Sequence, residues 1–214
     1  MGVADRVITI VGCGPGSPDY ITPAALKAIE GAGLLVGAKR LLELFPSVTA
    51  ERVAVSAVPE DAVEAIAGRT DLNPVAALVT GDPGLFSLAG LVIRRFGREN
   101  CRVIPGISSI QVAFARLGLD WHDARIISAH KQDPDPAQSM IDADKIAVLG
   151  GREGSIRWVA DHLLCDRAED RRIFVCENLT LEDERVSEVR SADLRQLQVS
   201  PRTVIIIVKR RLLS

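Results

Sequence analysis

Four short loops concentrate the residues of this chain that could do chemistry. They read Val11-Gly12-Cys13-Gly14-Pro15-Gly16, Val79-Thr80-Gly81-Asp82-Pro83-Gly84, Ile104-Pro105-Gly106-Ile107-Ser108-Ser109 and Leu149-Gly150-Gly151-Arg152-Glu153-Gly154. Each follows at once on an apolar, strand-like run. Glycine there lets a ligand come close to the backbone, and open α/β sheets bind ligands beyond the carboxyl ends of their strands. A tight strand-to-helix turn uses glycine in the same way, but four such loops together favour a ligand cleft. The loops do not suit a dinucleotide. Gly12, Gly14 and Gly16 give GxGxG where the fingerprint is GxGxxG, Ser17 stands at the third glycine position, and Pro15 removes an N–H that a pyrophosphate would use. The second strand-like run ends in Val36-Gly37-Ala38-Lys39, without the acidic residue that holds a ribose. No Walker pattern is present. The Asp82-Pro83 loop suits cationic or hydroxyl groups better than phosphate.

The elements that must position these loops alternate between strand and helix in the first half. Strands are expected at Arg6–Val11, Leu34–Val36, Arg52–Val55, Val75–Thr80 and Arg102–Ile104. Helices are expected at Ala24–Glu30, Pro59–Gly68, Leu85–Phe96 and Ser108–Leu117, the first opened by Thr22 as N-cap and Pro23 at the first helical position. This alternation predicts an α/β fold with a parallel sheet covered by helices on both faces. The second half reads differently. Strands are expected at Arg125–Ser128, Ile146–Leu149, Ile173–Cys176, Arg185–Val189 and Thr203–Val208, with one helix at Gly154–Leu164. The short spacing of the last three strands predicts a mixed sheet with antiparallel pairing. A boundary near Leu117–Ala124 divides the chain into an N-terminal α/β domain, residues 1–119, and a C-terminal one, residues 120–214. Gln132–Gln138 reads as a polar, proline-containing loop.

Composition narrows the function classes. The 214 residues are 47% hydrophobic, too apolar for a disordered chain. A net charge of −2 and eight aromatic residues give neither the basic face nor the stacking surface that nucleic acid needs. The longest β-branched run, Val204–Val208, falls far short of the ~20 residues of a membrane helix. Asp5 and Arg6 interrupt any signal-like apolar run. Cys13, Cys101, Cys165 and Cys176 form no CxxC pair, so neither a zinc knuckle nor a redox dithiol is expected, and no metal. The expectation is a cytoplasmic protein with reduced thiols.

The segments VGCGPGSPDYIT, VTGDPGLF and VIPGISSIQVAFARLGLDW resemble the tetrapyrrole methylases, which use S-adenosylmethionine. Ser128-Ala129-His130-Lys131 and Val175-Cys176-Glu177-Asn178-Leu179, leading to Asp183-Glu184-Arg185-Val186, are similar too, so the resemblance runs over about residues 6 to 208. Within the family it is nearest the group that methylates carbon 5 of precorrin-6Y or cobalt-precorrin-7 in cobalamin biosynthesis. Ser17 departs from the aspartate usual in the first loop. The resemblance implies two α/β domains with the cofactor in the cleft between them, and a homodimer. In some relatives this activity is fused to a second methyltransferase that acts at carbon 15 and removes a carboxyl group. Only carbon-5 activity is expected here, with a separate carbon-15 methyltransferase/decarboxylase as a possible partner.

The resemblance also implies roles for individual residues. Pro15, Gly81, Asp82 and Leu85 border the cofactor, Ser108 and Ser109 meet its methionine part at a helix start, and Leu149 and Leu179 enclose its adenine. Gly14 is a further candidate to face the substrate that the resemblance implies, and Arg116, Lys131 and Arg152, with Arg40 and Arg125, follow strands or border the loops and are candidate partners for its carboxylates, which suit guanidinium groups. His130 is the candidate base for the proton that leaves the macrocycle. Bland roles compete with each of these. Asp82 and Ser108 could cap helices, Leu149 and Leu179 could be core, and His130 could be a hydrogen-bonded structural histidine or a carboxylate contact. His122 and His162 read as structural. Three readings stand beside carbon-5 methylation: another methylase of the superfamily, acting elsewhere on a macrocycle or on a diphthine-type protein residue; a non-catalytic cofactor-binding scaffold; and a nicotinamide oxidoreductase, which the first loop disfavours.

Overall fold

A computed structural model describes residues 8–56, 58–69, 74–135, 143–152, 154–164 and 169–213. Arg6 and Val7 of the first expected strand, residues 136–138 of the polar loop, Glu153 and Cys165 lie outside the described residues. The chain divides into two compact units, Met1–Ser108 and Ser109–Ser214.

The first unit is built on a sheet of β1 (Ile8–Gly12), β2 (Leu34–Gly37), β3 (Glu51–Ala54), β4 (Val75–Val79) and β5 (Cys101–Ile104). The order is β3-β2-β4-β1-β5, and every pairing is parallel. Successive strand residues go to opposite faces, and here both faces are buried. Val11, Leu35, Ala76, Leu78 and Ile104 pack with Ala25 and Ile29 of α1 (Pro23–Glu30) and Leu41 and Leu42 of α2 (Lys39–Leu42). Ile8, Ile10, Leu34, Val36, Val75, Ala77 and Val79 pack with Ala62 and Ile66 of α3 (Pro59–Ala67) and Ala89 and Val92 of α4 (Ala89–Phe96). Each buried Ile, Leu or Val contributes about 1.5–3 kcal/mol. Burial on both faces explains why β1 and β4 read as continuous apolar runs rather than alternating ones. The Thr22 hydroxyl accepts the Ala25 N–H at 3.2 Å, and Pro23 opens the helix.

One helix is shorter than its apolar spacing predicts. α4 starts at Ala89, not Leu85. The Asp82 carboxylate takes the Gly84 N–H at 2.7 Å, and the Ser87 hydroxyl takes the Ala89 N–H at 3.0 Å while donating to the Pro83 carbonyl. These local bonds hold 82–88 as a loop in place of a first helical turn.

In the second unit α5 (Ser109–Arg116) precedes a sheet of β6 (Arg125–Ser128), β7 (Lys145–Leu149), β8 (Arg171–Glu177), β9 (Arg185–Val189) and β10 (Thr203–Lys209). The order is β6-β7-β10-β8-β9; β6 and β7 are parallel and the other pairs antiparallel, giving the mixed sheet expected. α5 packs on β10 and belongs with this unit. The division after Ser108 thus falls one helix before the boundary read after residue 119. α6 (Ser155–Trp158) continues as a wider π-type turn over Val159–Leu163. Trp158 and Val159 pack with Ile127, Val148, Ile173, Val175, Ile205 and Ile207. Among the described residues no helix is long and apolar enough to cross a membrane.

Ile205 lies on the central strand of this second core and is fully buried. Ile205→Ala is expected to lower the unfolding free energy by about 2–5 kcal/mol, from lost transfer energy plus a cavity. Urea titration read by tryptophan fluorescence checks this, because both tryptophans, Trp121 and Trp158, lie in the second unit.

Candidate functional site

Parallel pairing of β4, β1 and β5 puts the loops that follow them on one edge of the first sheet. There the backbones approach more closely than side chains would allow. A Cβ on Gly106 would stand 2.3 Å from the Gly81 carbonyl oxygen and 2.8 Å from Gly12 Cα, and a Cβ on Gly12 would stand 2.5 Å from the Gly106 nitrogen. All of these neighbours are backbone, so none can swing aside. The Gly81 N–H donates to the Gly14 carbonyl at 2.8 Å, and the Cys13 N–H to Val79 at 2.9 Å. Asp82 ties the second loop to the third: Oδ1 accepts the Gly84 N–H at 2.7 Å and Oδ2 the Gly106 N–H at 3.0 Å. Since α4 begins at Ala89, Asp82 caps this turn and cross-links two loops; it does not cap the helix. Pro15 and Ser108 are buried on this edge, and Leu85 is half-buried. Burial pushes the Cys13 thiol up to about 12, which leaves it neutral and unsuited to be a nucleophile. Arg40 is exposed and hydrogen-bonded to the Thr80 hydroxyl.

The second unit gathers its own set of loops. Ser128 pairs with Leu149 in register, the Ala129 N–H donates to Leu149 at 2.9 Å, and the Gly150 N–H donates to Thr203 at 2.9 Å. His130 Nδ1 lies 3.0 Å from the Gly150 carbonyl. A carbonyl can only accept, so Nδ1 carries the proton and, in the neutral ring, Nε2 is the accepting nitrogen. Arg152 Nε donates to Ala129 at 3.3 Å, and its guanidinium pairs with Asp133. Lys131 is exposed. Arg125 opens β6, at the strand end away from these loops.

Leu179 is buried, between two residues in the left-handed region: Asn178 at φ +49° and Thr180 at φ +71°. Polar contacts hold this turn. Asn178 donates through Nδ2 to Asp183 at 2.7 Å and accepts from the Ser200 hydroxyl at 2.6 Å. The Thr180 N–H donates to Glu184 Oε2 at 2.6 Å. Glu184 is gripped by Arg116 through Nε at 2.5 Å and Nη2 at 3.1 Å, and this two-point contact holds its carboxyl below the ordinary 4.5. Arg116 and Arg152, read from sequence as substrate contacts, are thus both ion-paired within the chain. Glu184, Thr180 and Ser200 were given no role from the sequence, although Glu184 stands in the Asp183-Glu184-Arg185-Val186 segment that carries part of the resemblance. Among the described residues no group of His, Cys, Asp and Glu is arranged to hold a metal ion.

The chain was compared with known proteins. The family model for the tetrapyrrole (corrin/porphyrin) methylases matches residues 7–195. The cobalt-precorrin-7 C(5)-methyltransferase of Salmonella typhimurium is 33% identical over 180 residues, 84% of this chain and 89% of that protein. A probable cobalt-precorrin-7 C(5)-methyltransferase of Methanocaldococcus jannaschii is 32% identical over 205 residues, 90% of this chain and 96% of that protein. Among solved structures, the precorrin-6Y methylase of Archaeoglobus fulgidus shares the fold, with a TM-score of 0.72 at 24% identity, over 96% of this chain and 99% of that one.

Two outcomes follow from this geometry. Asp82→Ala leaves the buried-side Gly106 N–H without its acceptor and is expected to cost about 1–3 kcal/mol of stability in urea unfolding. Glu184→Gln is expected to destabilise the protein at pH 7. A carboxyl whose folded pKa is lowered stabilises above its unfolded value and loses that contribution as pH falls through the folded one. The gap between wild type and Glu184→Gln is therefore widest at neutral pH and closes as the pH drops below 4.5; urea curves at a series of pH values measure it.

Proposed function

The chain belongs to the tetrapyrrole (corrin/porphyrin) methylases, and from that premise we propose that it transfers the methyl group of S-adenosylmethionine to carbon 5 of a corrin-ring precursor in cobalamin biosynthesis. The observation that carries the reading is the identity of 33% over 84% of the chain to a cobalt-precorrin-7 C(5)-methyltransferase that it nearly spans. A homodimer working in the cytoplasm is part of the proposal. Among the described residues Cys13, Cys101 and Cys176 are free thiols, which suits a reducing compartment.

The first unit's edge fits such a cofactor. Gly12, Gly81 and Gly106 offer backbone without side chains in the way. The second unit opens with α5, whose first residue Ser109 begins a helix N-terminus that offers N–H groups to a carboxylate. S-adenosylmethionine supplies an electrophilic methyl on a sulfonium and leaves as the neutral thioether, S-adenosylhomocysteine. The residues of this chain mainly position. Gly81, Asp82 and Leu85 hold the cofactor's edge, Gly14 and Pro15 front it toward the substrate, and in the second unit Leu149 and Leu179 wall the adenine. In-line displacement needs the reacting carbon within roughly 3–3.5 Å of the methyl, a demand met by rigid loops more than by acids and bases. His130 Nε2 is the acceptor for the proton that leaves the ring, with its tautomer fixed by the Gly150 carbonyl. Lys131 and, by exchanging Asp133 or Glu184 for substrate, Arg152 and Arg116 meet its carboxylates.

Calorimetry is expected to show binding of S-adenosylmethionine and S-adenosylhomocysteine, weakened about tenfold or more by Asp82→Ala through loss of the cross-link between loops. Incubation with cobalt-precorrin-7 is expected to add one methyl, located at carbon 5 by mass spectrometry and NMR. Binding of neither cofactor form would overturn the reading. A methyl at another ring position, or on a protein residue, would assign the chain to a different member of the family. Cofactor binding without turnover on any precorrin would make it a scaffold.

A further inference from the structure

Phe86 is the most exposed large apolar side chain among the described residues, at 59%. Its backbone is left-handed, with φ +49°. That region is uncommon for any residue with a side chain and a true outlier for a bulky one, and nothing in the loop calls for phenylalanine there. Its neighbours are inward: Leu85 and Leu88 are half-buried, and Ala89 is buried in the core beneath α4. The loop is pinned on both sides of Phe86, by the Asp82 carbonyl accepting the Leu85 N–H at 3.1 Å and by Ser87 bonded to Pro83 and Ala89. A pinned, strained backbone that turns most of an aromatic ring out to solvent gains little in folding. Strain of this kind persists where a site needs the side chain it presents. The ring stands four residues after Asp82, on the edge where the loops of β1, β4 and β5 meet. It is one of only eight aromatic residues in the chain.

We infer that Phe86 is a substrate-positioning residue: its ring packs against an apolar part of the macrocycle and sets how the macrocycle is presented to the methyl donor. This deepens the proposed function and rests on it. An aromatic side chain offers a large apolar contact area, and a rigid loop loses little entropy in providing it.

The test compares Phe86→Ala, Phe86→Gly and Phe86→Trp with wild type. The readouts are methyl transfer to cobalt-precorrin-7, calorimetry with S-adenosylhomocysteine, urea stability and sedimentation. Phe86→Ala and Phe86→Gly are expected to raise KM for the macrocycle about tenfold, with Kd for S-adenosylhomocysteine within about twofold of wild type, and Phe86→Trp to stay near wild type. Glycine accepts φ +49° freely, so Phe86→Gly is expected to be at least as stable as wild type. It also keeps the test alive if the alanine variant folds poorly. Higher KM in a more stable protein is a combination that a merely structural role does not produce. Three results would overturn the inference: an unchanged KM in both truncations; a parallel loss of S-adenosylhomocysteine affinity, which would put the ring on the adenine; or a shift in oligomeric state, which would put it in a subunit contact. If wild type itself neither binds S-adenosylhomocysteine nor methylates the precorrin, the proposed function falls first and takes this inference with it.

Discussion

The close approach of three glycine backbones, Gly12, Gly81 and Gly106, is the constraint on which the first unit's edge depends. A Cβ on Gly12 or Gly106 would stand 2.3–2.8 Å from backbone, so no other residue fits at those two positions without moving it, while Gly81 is held to glycine by its left-handed φ of +67°. The contact brings the ends of β1, β4 and β5 together, and Asp82 fastens it by accepting one N–H from its own turn and one from the β5 loop. Three loops that would otherwise move separately become one surface. A preformed surface spends less of its contact energy on ordering when a ligand arrives. In the displacement reaction proposed, where geometry matters more than proton traffic, that rigidity would be the protein's main contribution. The neighbouring Cys13, its thiol pushed up by burial, packs as small core.

The second unit reaches rigidity by other means. Asn178 and Thr180 take up left-handed backbone without being glycine, and charged and polar side chains hold them there: Asp183, Ser200, Glu184 and, behind Glu184, Arg116. Carboxylates and guanidinium groups respond to protons and salt; the glycine contact is neutral backbone and does not. The turn that presents Leu179 is therefore an acid-sensitive part of the second unit, because its tether weakens as Glu184 is protonated.

Local chemistry was legible in the sequence; contacts distant along the chain were not. Thr22-Pro23 announced α1 because a cap and its proline are neighbours. Continuous apolar runs announced β1 and β4, and the glycine loops announced the edge. The helix expected from Leu85 failed at its first turn, where apolar spacing fits a helix but the Asp82 and Ser87 side chains offer the backbone nearer partners. That miss also hid Phe86, which looked like a helical residue. The helix expected at Ser108–Leu117 carried no sign of the sheet it packs on, which is that of the second unit. Arg116 and Glu184 stand 68 positions apart. No spacing rule links them, so Arg116 looked free for a substrate when it is in fact committed to a carboxylate of its own chain.

That commitment changes how a polycarboxylate can be recognised. A net charge of −2 gives no long-range pull on an anion, and the arginines at the loops already hold Asp133 and Glu184. Under the proposed function, a substrate carboxylate that displaced Asp133 from Arg152 would form one ion pair and break another of the same kind. Half-exposed pairs are worth about 0–1 kcal/mol each, so the exchange would yield little net affinity and would mainly fix orientation, since a guanidinium takes a carboxylate in two-point geometry. The exposed Lys131 would add local attraction without such an exchange, and apolar contact with the macrocycle, which carries no exchange cost either, would supply the rest.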